Sequence, residues 1–265
     1  MVNNLKDALK EIKYFLLDMD GTLYLGDRLI GEMDKTLAFL RENGKKLIYL
    51  TNNSSKTNEE YVGKLKRIGL YGDGDEVFSS GIACAEFLAD GYKGEKLNIL
   101  GTDALKEQFK KRGLNVVESG ADICVLAYDT ELTYKKLCFF TDDLQSGAKY
   151  IATHPDVTCP APRFFVPDAG AFIELIKAAT GRVPEKIIGK PSSDMGEVLM
   201  KKFGAKSNEF MMVGDRLHTD ILFGNNCGFY TVLVLSGESR ESDISDNTGR
   251  PDFILGSFND IVNYF

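Results

Sequence analysis

Residues 15–27 read FLLDMDGTLYLGD. An apolar run enters Asp18, a second acid, Asp20, stands two places on, and Gly21 and Thr22 follow at once. The run has the length and character of a buried strand, and in open α/β sheets ligands sit just past the carboxyl ends of strands. Two carboxylates crowded there repel one another and raise one pKa, so a compensating charge is needed. The EF-hand spacing wants glycine at position six and glutamate at position twelve. Counted from Asp18, Leu23 and Leu29 stand there, which excludes a calcium loop of that kind. Mg²⁺ suits the pair better, because it takes oxygen ligands and binds through one or two carboxylates together with phosphate oxygens. Asp18 and Asp20 face one ligand if extended geometry continues through both, since a strand puts alternate side chains on one side.

Working outward, the same kind of ending repeats. TNNSS (51–55) follows KLIYL, GKPSS (189–193) follows KII, and GDRLHTD (214–220) follows EFMMV. Turn propensity accounts for the glycines and asparagines. It does not account for four aspartates, one lysine and one threonine, namely Asp18, Asp20, Asp215, Asp220, Lys190 and Thr51, all at such ends. Asp220 also has a plainer reading, as a first-turn acid that stabilises its own helix. Four ionised aspartates against one Mg²⁺ and Lys190 leave a single net negative charge, which protonation of Asp20 removes. A phosphate dianion then needs main-chain donors, which Gly21-Thr22 and Thr51-Asn52-Asn53 offer. Such a set fits phosphoryl transfer, with one aspartate as in-line nucleophile and the other as acid and then base.

Apolar strand-like runs alternate with amphipathic helical stretches along nearly the whole chain, which predicts parallel sheets with helices on their faces. Helices are expected over about 33–43, 58–68, 103–112, 134–144 and 170–180. The stretch between TNNSS and GKPSS carries its own alternation, enough for an independent α/β domain. The predicted organisation is a core in two parts, 1–80 and 182–265, with a domain inserted at 81–181. Ser79-Ser80-Gly81 and Thr180-Gly181 are the expected hinge segments.

With 265 residues, 43% hydrophobic and 27% charged, the chain has an ordinary globular composition. Its net charge of −7 argues against nucleic acid or an anionic membrane surface as partner. The five cysteines are widely spaced without a CxxC pair, so reduced thiols and a cytoplasmic location are expected. No apolar run reaches the length of a membrane span.

Taken together, the four motifs resemble the haloacid dehalogenase superfamily of phosphatases, whose pattern is DxDGT, a Thr or Ser after the second strand, a Lys, and GD with a further Asp. TNNSS, GKPS, GDRLHTDI, LTY (132–134) and ATHPD (152–156) are similar to the NagD-like, p-nitrophenyl-phosphatase-like branch. The resemblance implies a Rossmann-like parallel-sheet core domain with an inserted α/β cap domain, Mg²⁺ as cofactor, and a small phosphorylated metabolite as substrate, a sugar phosphate or nucleoside monophosphate. It makes Asp18 the nucleophile and a metal ligand. Asp20 becomes the general acid/base, with its backbone carbonyl on the metal. Asp215 and Asp220 complete the metal site. Thr51 and Asn52 hold the phosphoryl oxygens with Asn53 beside them, and Lys190 holds the nucleophile and phosphate charge. Many relatives have Asn where His154 stands, so His154 is read either as a substrate contact or as a residue of a domain interface. Arg216 is expected to pair with nearby acids, Asp168 to cap a helix, and Cys159 to play no catalytic part. The alternative is an Asp-phosphorylated signalling or phosphate-binding domain without turnover. Association of like chains is left open by the sequence.

Overall fold

The computed structural model describes residues 4–160, 163–245 and 248–265. The chain divides into two compact units: residues 1–51, 58–78 and 199–265 form the first, and residues 52–57 and 79–198 the second.

The first unit is built on a six-stranded sheet. Its strand order is Phe253–Leu255, Tyr230–Val234, Phe210–Gly214, Tyr14–Leu17, Lys46–Thr51 and Glu76–Ser79. Tyr14–Leu17 runs parallel to both of its neighbours, with Leu17 opposite Val213 on one side and Tyr49 on the other. This central position explains why FLL is apolar without alternation: Phe15, Leu16 and Leu17 are fully buried, on both faces of the sheet. From this strand the chain winds outward one way through residues 46–51 and 76–79. It winds outward the other way through 210–214, 230–234 and 253–255. The reversal falls between Tyr14–Leu17 and Phe210–Gly214, so the carboxyl ends of these two strands flank the crevice where such sheets bind ligands. Helix Met33–Glu42 buries Met33, Thr36, Leu37 and Leu40, the spacing of one helical face. Leu37 and Leu40 join Phe15, Leu17, Tyr49, Val213 and Val232 in one core. Each such large side chain contributes about 1.5–3 kcal/mol by leaving water.

The second unit has a five-stranded sheet in the order Lys186–Ile187, Lys149–Ala152, Ile123–Leu126, Lys96–Leu100 and Asn115–Val117, every pairing parallel. Its core gathers Leu126, Phe140, Tyr150 and Ile173 among others. Helices start at side-chain caps that the sequence supplies: Thr102 accepts from Leu105 N–H at 3.2 Å, Thr133 from Lys136 N–H at 3.3 Å, and Asp168 from Ala169 N–H at 2.6 Å. Asp168 therefore caps a helix, as expected. An antiparallel hairpin, Thr158–Pro160 with Phe165–Pro167, precedes that helix.

The unit boundaries differ from the expected 80/81 and 181/182. Lys186–Ile187 pairs in parallel with Ile151–Ala152, and Ile188 and Gly189 continue the ladder onto the carbonyls of Ala152 and Thr153. The chain therefore stays with the second unit through Val198, and Gly181, at φ +72°, ends a helix within it. Ser79 caps helix Ser80–Gly91 by accepting from Ile82 N–H, so Ser80 and Gly81 form the first turn of that helix.

Candidate active site

Strand register brings the first two acids together. Asp18 follows Leu17 directly, and its N–H donates to the carbonyl of Val213 at 2.9 Å. Asp215 follows Gly214, the last residue of the neighbouring strand. Asp220 arrives by another route. Residues Leu217–Ile221 form a single π-helical turn, in which Leu222 N–H reaches back to Leu217 O. The wide turn returns Asp220 towards Asp215, and Arg216 N–H donates to Asp220 Oδ2 at 3.2 Å. One carboxylate oxygen each from Asp18, Asp215 and Asp220 lies within 4.8 Å of the other two, and Asp215 and Asp220 are buried.

Asp215 is held by donors on three sides. Thr22 Oγ1 donates to Oδ1 at 3.3 Å and Glu238 N–H to Oδ2 at 2.8 Å, while Ser239 N–H takes the Asp215 backbone carbonyl at 3.1 Å. The glycines beside it are structural requirements. Gly21 sits at φ +86°, and a Cβ there, or at Gly237, would overlap Asp215 Oδ2. Burial, with the Asp220 charge beside it, raises the Asp215 pKa, and the Glu238 N–H opposes this. Three carboxylates so close, two of them out of water, form an all-oxygen donor set suited to Mg²⁺. Thr22 Oγ1 and the Glu238 N–H on Asp215, and the Arg216 N–H on Asp220, orient two of these carboxylates.

Asp20 does not join this cluster with its side chain. Past Asp18 the chain turns instead of staying extended: Leu23 N–H bonds to Met19 O at 2.9 Å and Gly21 N–H to Tyr24 O at 2.9 Å. The Asp20 side chain is 66% exposed and lies 4.0 Å from Lys64 Nζ. That turn ends the extended geometry on which a shared facing of the two DMD side chains was to depend, and the Asp20 carboxylate stands outside the group formed by Asp18, Asp215 and Asp220.

The remaining expected residues are placed as follows. Thr51 ends strand Lys46–Thr51 of the first unit. Asn52, Asn53 and Lys190 belong to the second unit. There Asn52 Nδ2 donates to Lys190 O at 2.9 Å and to Asp156 Oδ2 at 3.1 Å, and Asn52 Oδ1 is buried without a partner. Asn53 Oδ1 accepts from Ser55 N–H at 2.9 Å, an Asx turn that shapes the TNNSS loop. Lys190 is buried. His154 is fully buried between Asp168 Oδ1, 2.9 Å from Nε2, and Thr153 Oγ1, 2.9 Å from Nδ1. The Cys159 thiol is pushed up by burial and by Asp168, which makes it a poor nucleophile. Sequence reasoning missed the acid-binding parts of Thr22 and of the Gly237-Glu238-Ser239 loop. The signal for the latter was there: SGES is a fifth polar cluster behind an apolar run, YTVLVL.

A family model described as haloacid dehalogenase-like hydrolase matches residues 15–115, and a second haloacid dehalogenase-like model matches 187–261. The chain belongs to this family, in its NagD-like phosphatase branch, and is a phosphatase. It is 30% identical to a 5′-nucleotidase of Bacillus subtilis over 97% of its own length and 100% of that protein. It is 31% identical to an acid sugar phosphatase of Staphylococcus aureus, covering 96% and 98%. The solved structure of a 4-nitrophenylphosphatase from Thermotoga maritima superposes with a TM-score of 0.90 at 38% identity, covering 97% of this chain and 98% of that one. These relatives agree with a Rossmann-like α/β core carrying an inserted α/β cap. No helix among the described residues is long and apolar enough to cross a membrane.

Proposed function

We propose that the chain is a Mg²⁺-dependent phosphomonoesterase that works through an aspartyl-phosphate on Asp18 and acts on a small phosphorylated metabolite. The observation that carries this reading is the cluster of Asp18, Asp215 and Asp220 at the switch point of the first sheet. Asp18, Asp215, Asp220 and the Asp20 carbonyl would hold the ion, which supplies positive charge against the carboxylates and the phosphoryl oxygens. An Asp18 oxygen attacks phosphorus in line, the ester P–O bond breaks, and the departing oxygen takes a proton from Asp20. In the second half, Asp20 accepts a proton from water as that water attacks phosphorus. The P–O bond to Asp18 breaks, and inorganic phosphate leaves. Lys190 is assigned to the phosphoryl charge, and Thr51, Asn52 and Asn53 to its oxygens, by the family resemblance. The second unit is assigned the part of a cap that sets specificity.

Sugar phosphates and nucleoside monophosphates are the substrate classes, supported by the relatives named acid sugar phosphatase and 5′-nucleotidase. The test is a phosphate-release screen over both classes, read as kcat/KM with Mg²⁺ present. A clear preference within either class supports the reading. Uniform failure alongside turnover of p-nitrophenyl phosphate would remove the substrate assignment. Hydrolysis unaffected by excess chelator would remove the metal.

A further inference from the structure

Two loops of the first unit close into a ring behind the acids. Glu238 N–H holds Asp215 Oδ2 at 2.8 Å, Arg216 N–H holds Asp220 Oδ2 at 3.2 Å, and the side chains of these two residues meet, Arg216 Nε to Glu238 Oε2, at 2.9 Å. Ser239 Oγ, which accepts from Leu217 N–H at 3.2 Å, ties the same loops a second time. The residues that orient two of the acids by main chain are thus joined to each other by side chain. The Arg216 and Glu238 side chains are 40% and 67% exposed, so the pair adds little to stability as a surface salt bridge. Its significance lies in where it keeps the guanidinium. Arg216 follows Asp215 in the chain and its N–H binds Asp220, so a guanidinium, charged at every ordinary pH, is anchored beside the acids. That charge relieves carboxylate repulsion, and it also opposes any divalent ion that the acids bind.

We propose that Arg216 and Glu238 act as a positioning pair that sets the divalent-cation affinity of the Asp18–Asp215–Asp220 site. Arg216 weakens cation binding, and Glu238 limits that effect by neutralising the guanidinium and holding it off the acids. The proposal rests on the metal-site reading above. It goes beyond that reading by assigning a metal-tuning part to two residues outside the ligand set.

The test is titration of the full chain with Mn²⁺ in the absence of substrate, following the EPR signal of the free ion. Glu238→Gln should weaken Mn²⁺ binding roughly three- to tenfold, the size expected for one uncompensated charge a few ångströms beyond the ion. Arg216→Gln should tighten it by roughly a similar factor, and the double variant should return to within about twofold of wild type. Recovery in the double variant is the outcome that mere loop disorder does not produce, because two disruptions of one strap do not repair each other. An unchanged affinity in Glu238→Gln, or a double variant no better than Glu238→Gln, overturns the pair. Should Glu238→Gln fail to fold, Glu238→Ala, which removes the same charge, must show the same weakening and the same recovery with Arg216→Gln. Wild-type protein that binds no Mn²⁺ would overturn the metal reading itself, a result distinct from wild-type binding with unresponsive variants.

Discussion

Lys64 Nζ stands 4.0 Å from Asp20 Oδ2 and 4.0 Å from the centre of the Tyr24 ring. The ring face steadies the ammonium, and the ammonium holds the carboxylate out towards helix Asn58–Arg67. The two acids of DMD thereby occupy different surroundings, Asp18 among carboxylates and Asp20 in water beside a cation. That division suits one to attack and the other to exchange protons. Asp20→Asn is expected to lower kcat/KM for alkyl phosphates by about 10²–10⁴-fold, the usual size of general-acid catalysis. For p-nitrophenyl phosphate the loss should be much smaller, because its leaving group departs as a stable anion. Equal losses on both substrates would remove Asp20 from protonating the leaving group.

Asp18→Asn is expected to abolish turnover of p-nitrophenyl phosphate. The loss of a nucleophile that forms a covalent intermediate reaches about 10⁶-fold in other hydrolases. Circular dichroism should stay unchanged, since Asp18 lies beyond the end of the strand. Activity within a factor of ten of wild type would place the nucleophile elsewhere.

Asp215 is expected to make the stability of the metal-free protein depend on pH. Its folded pKa is raised, first by burial and then by Asp220, so between the unfolded and folded values the folded state binds the extra proton. Stability from this group is therefore greatest at acid pH and declines as pH rises through the raised value. Thermal melts of chelator-treated protein should show Tm falling as pH rises above the ordinary carboxylate range. Saturating Mg²⁺ and Asp215→Asn should each flatten the slope. An identical slope in Asp215→Asn would assign it to other groups.

The parallel sheets, most helices and the meeting of Asp18 with Asp215 were legible because apolar runs mark strands and the acids sit one residue past two of them. Asp220 was legible as a residue but not in its approach, since a π turn at Leu217–Ile221 is a backbone choice that LHTDI does not announce. The outward Asp20 was hidden for the same reason: the turn at Met19–Tyr24 competes with continued extension, and main-chain bonds decide it. KII reads alike whichever sheet it joins. Only its long-range pairing with Ile151–Ala152 put residues 182–198 in the second unit. The SGES cluster marked the loop but not its contact, because Glu238 meets Asp215 through a backbone N–H, which carries no residue signature.

Gly237→Ala is expected to weaken metal binding with little change in the fold. The new Cβ would overlap Asp215 Oδ2, so the carboxylate must turn from the Glu238 N–H that orients it. Loss of such an orienting partner typically costs about 10–100-fold in metal affinity. Isothermal titration with Mn²⁺ measures it, and an affinity equal to wild type would show that Asp215 finds its place without that support.

His154→Ala is expected to act on stability rather than on substrate. The ring is fully buried and joins Asp168, Thr153 and, at 3.3 Å, Ser80 Oγ, while Asp168 caps helix Ala169–Thr180. Truncation leaves a buried carboxylate and a hydroxyl short of partners at once, a loss of about 3 kcal/mol. Asn reaches one neighbour but not both, so His154→Asn should fall between wild type and Ala in chemical denaturation. KM for p-nitrophenyl phosphate should stay within about twofold in both variants, because uniform binding is lost only when a substrate contact is removed. A large rise in KM with an unchanged denaturation midpoint would mean that the ring reaches substrate after all.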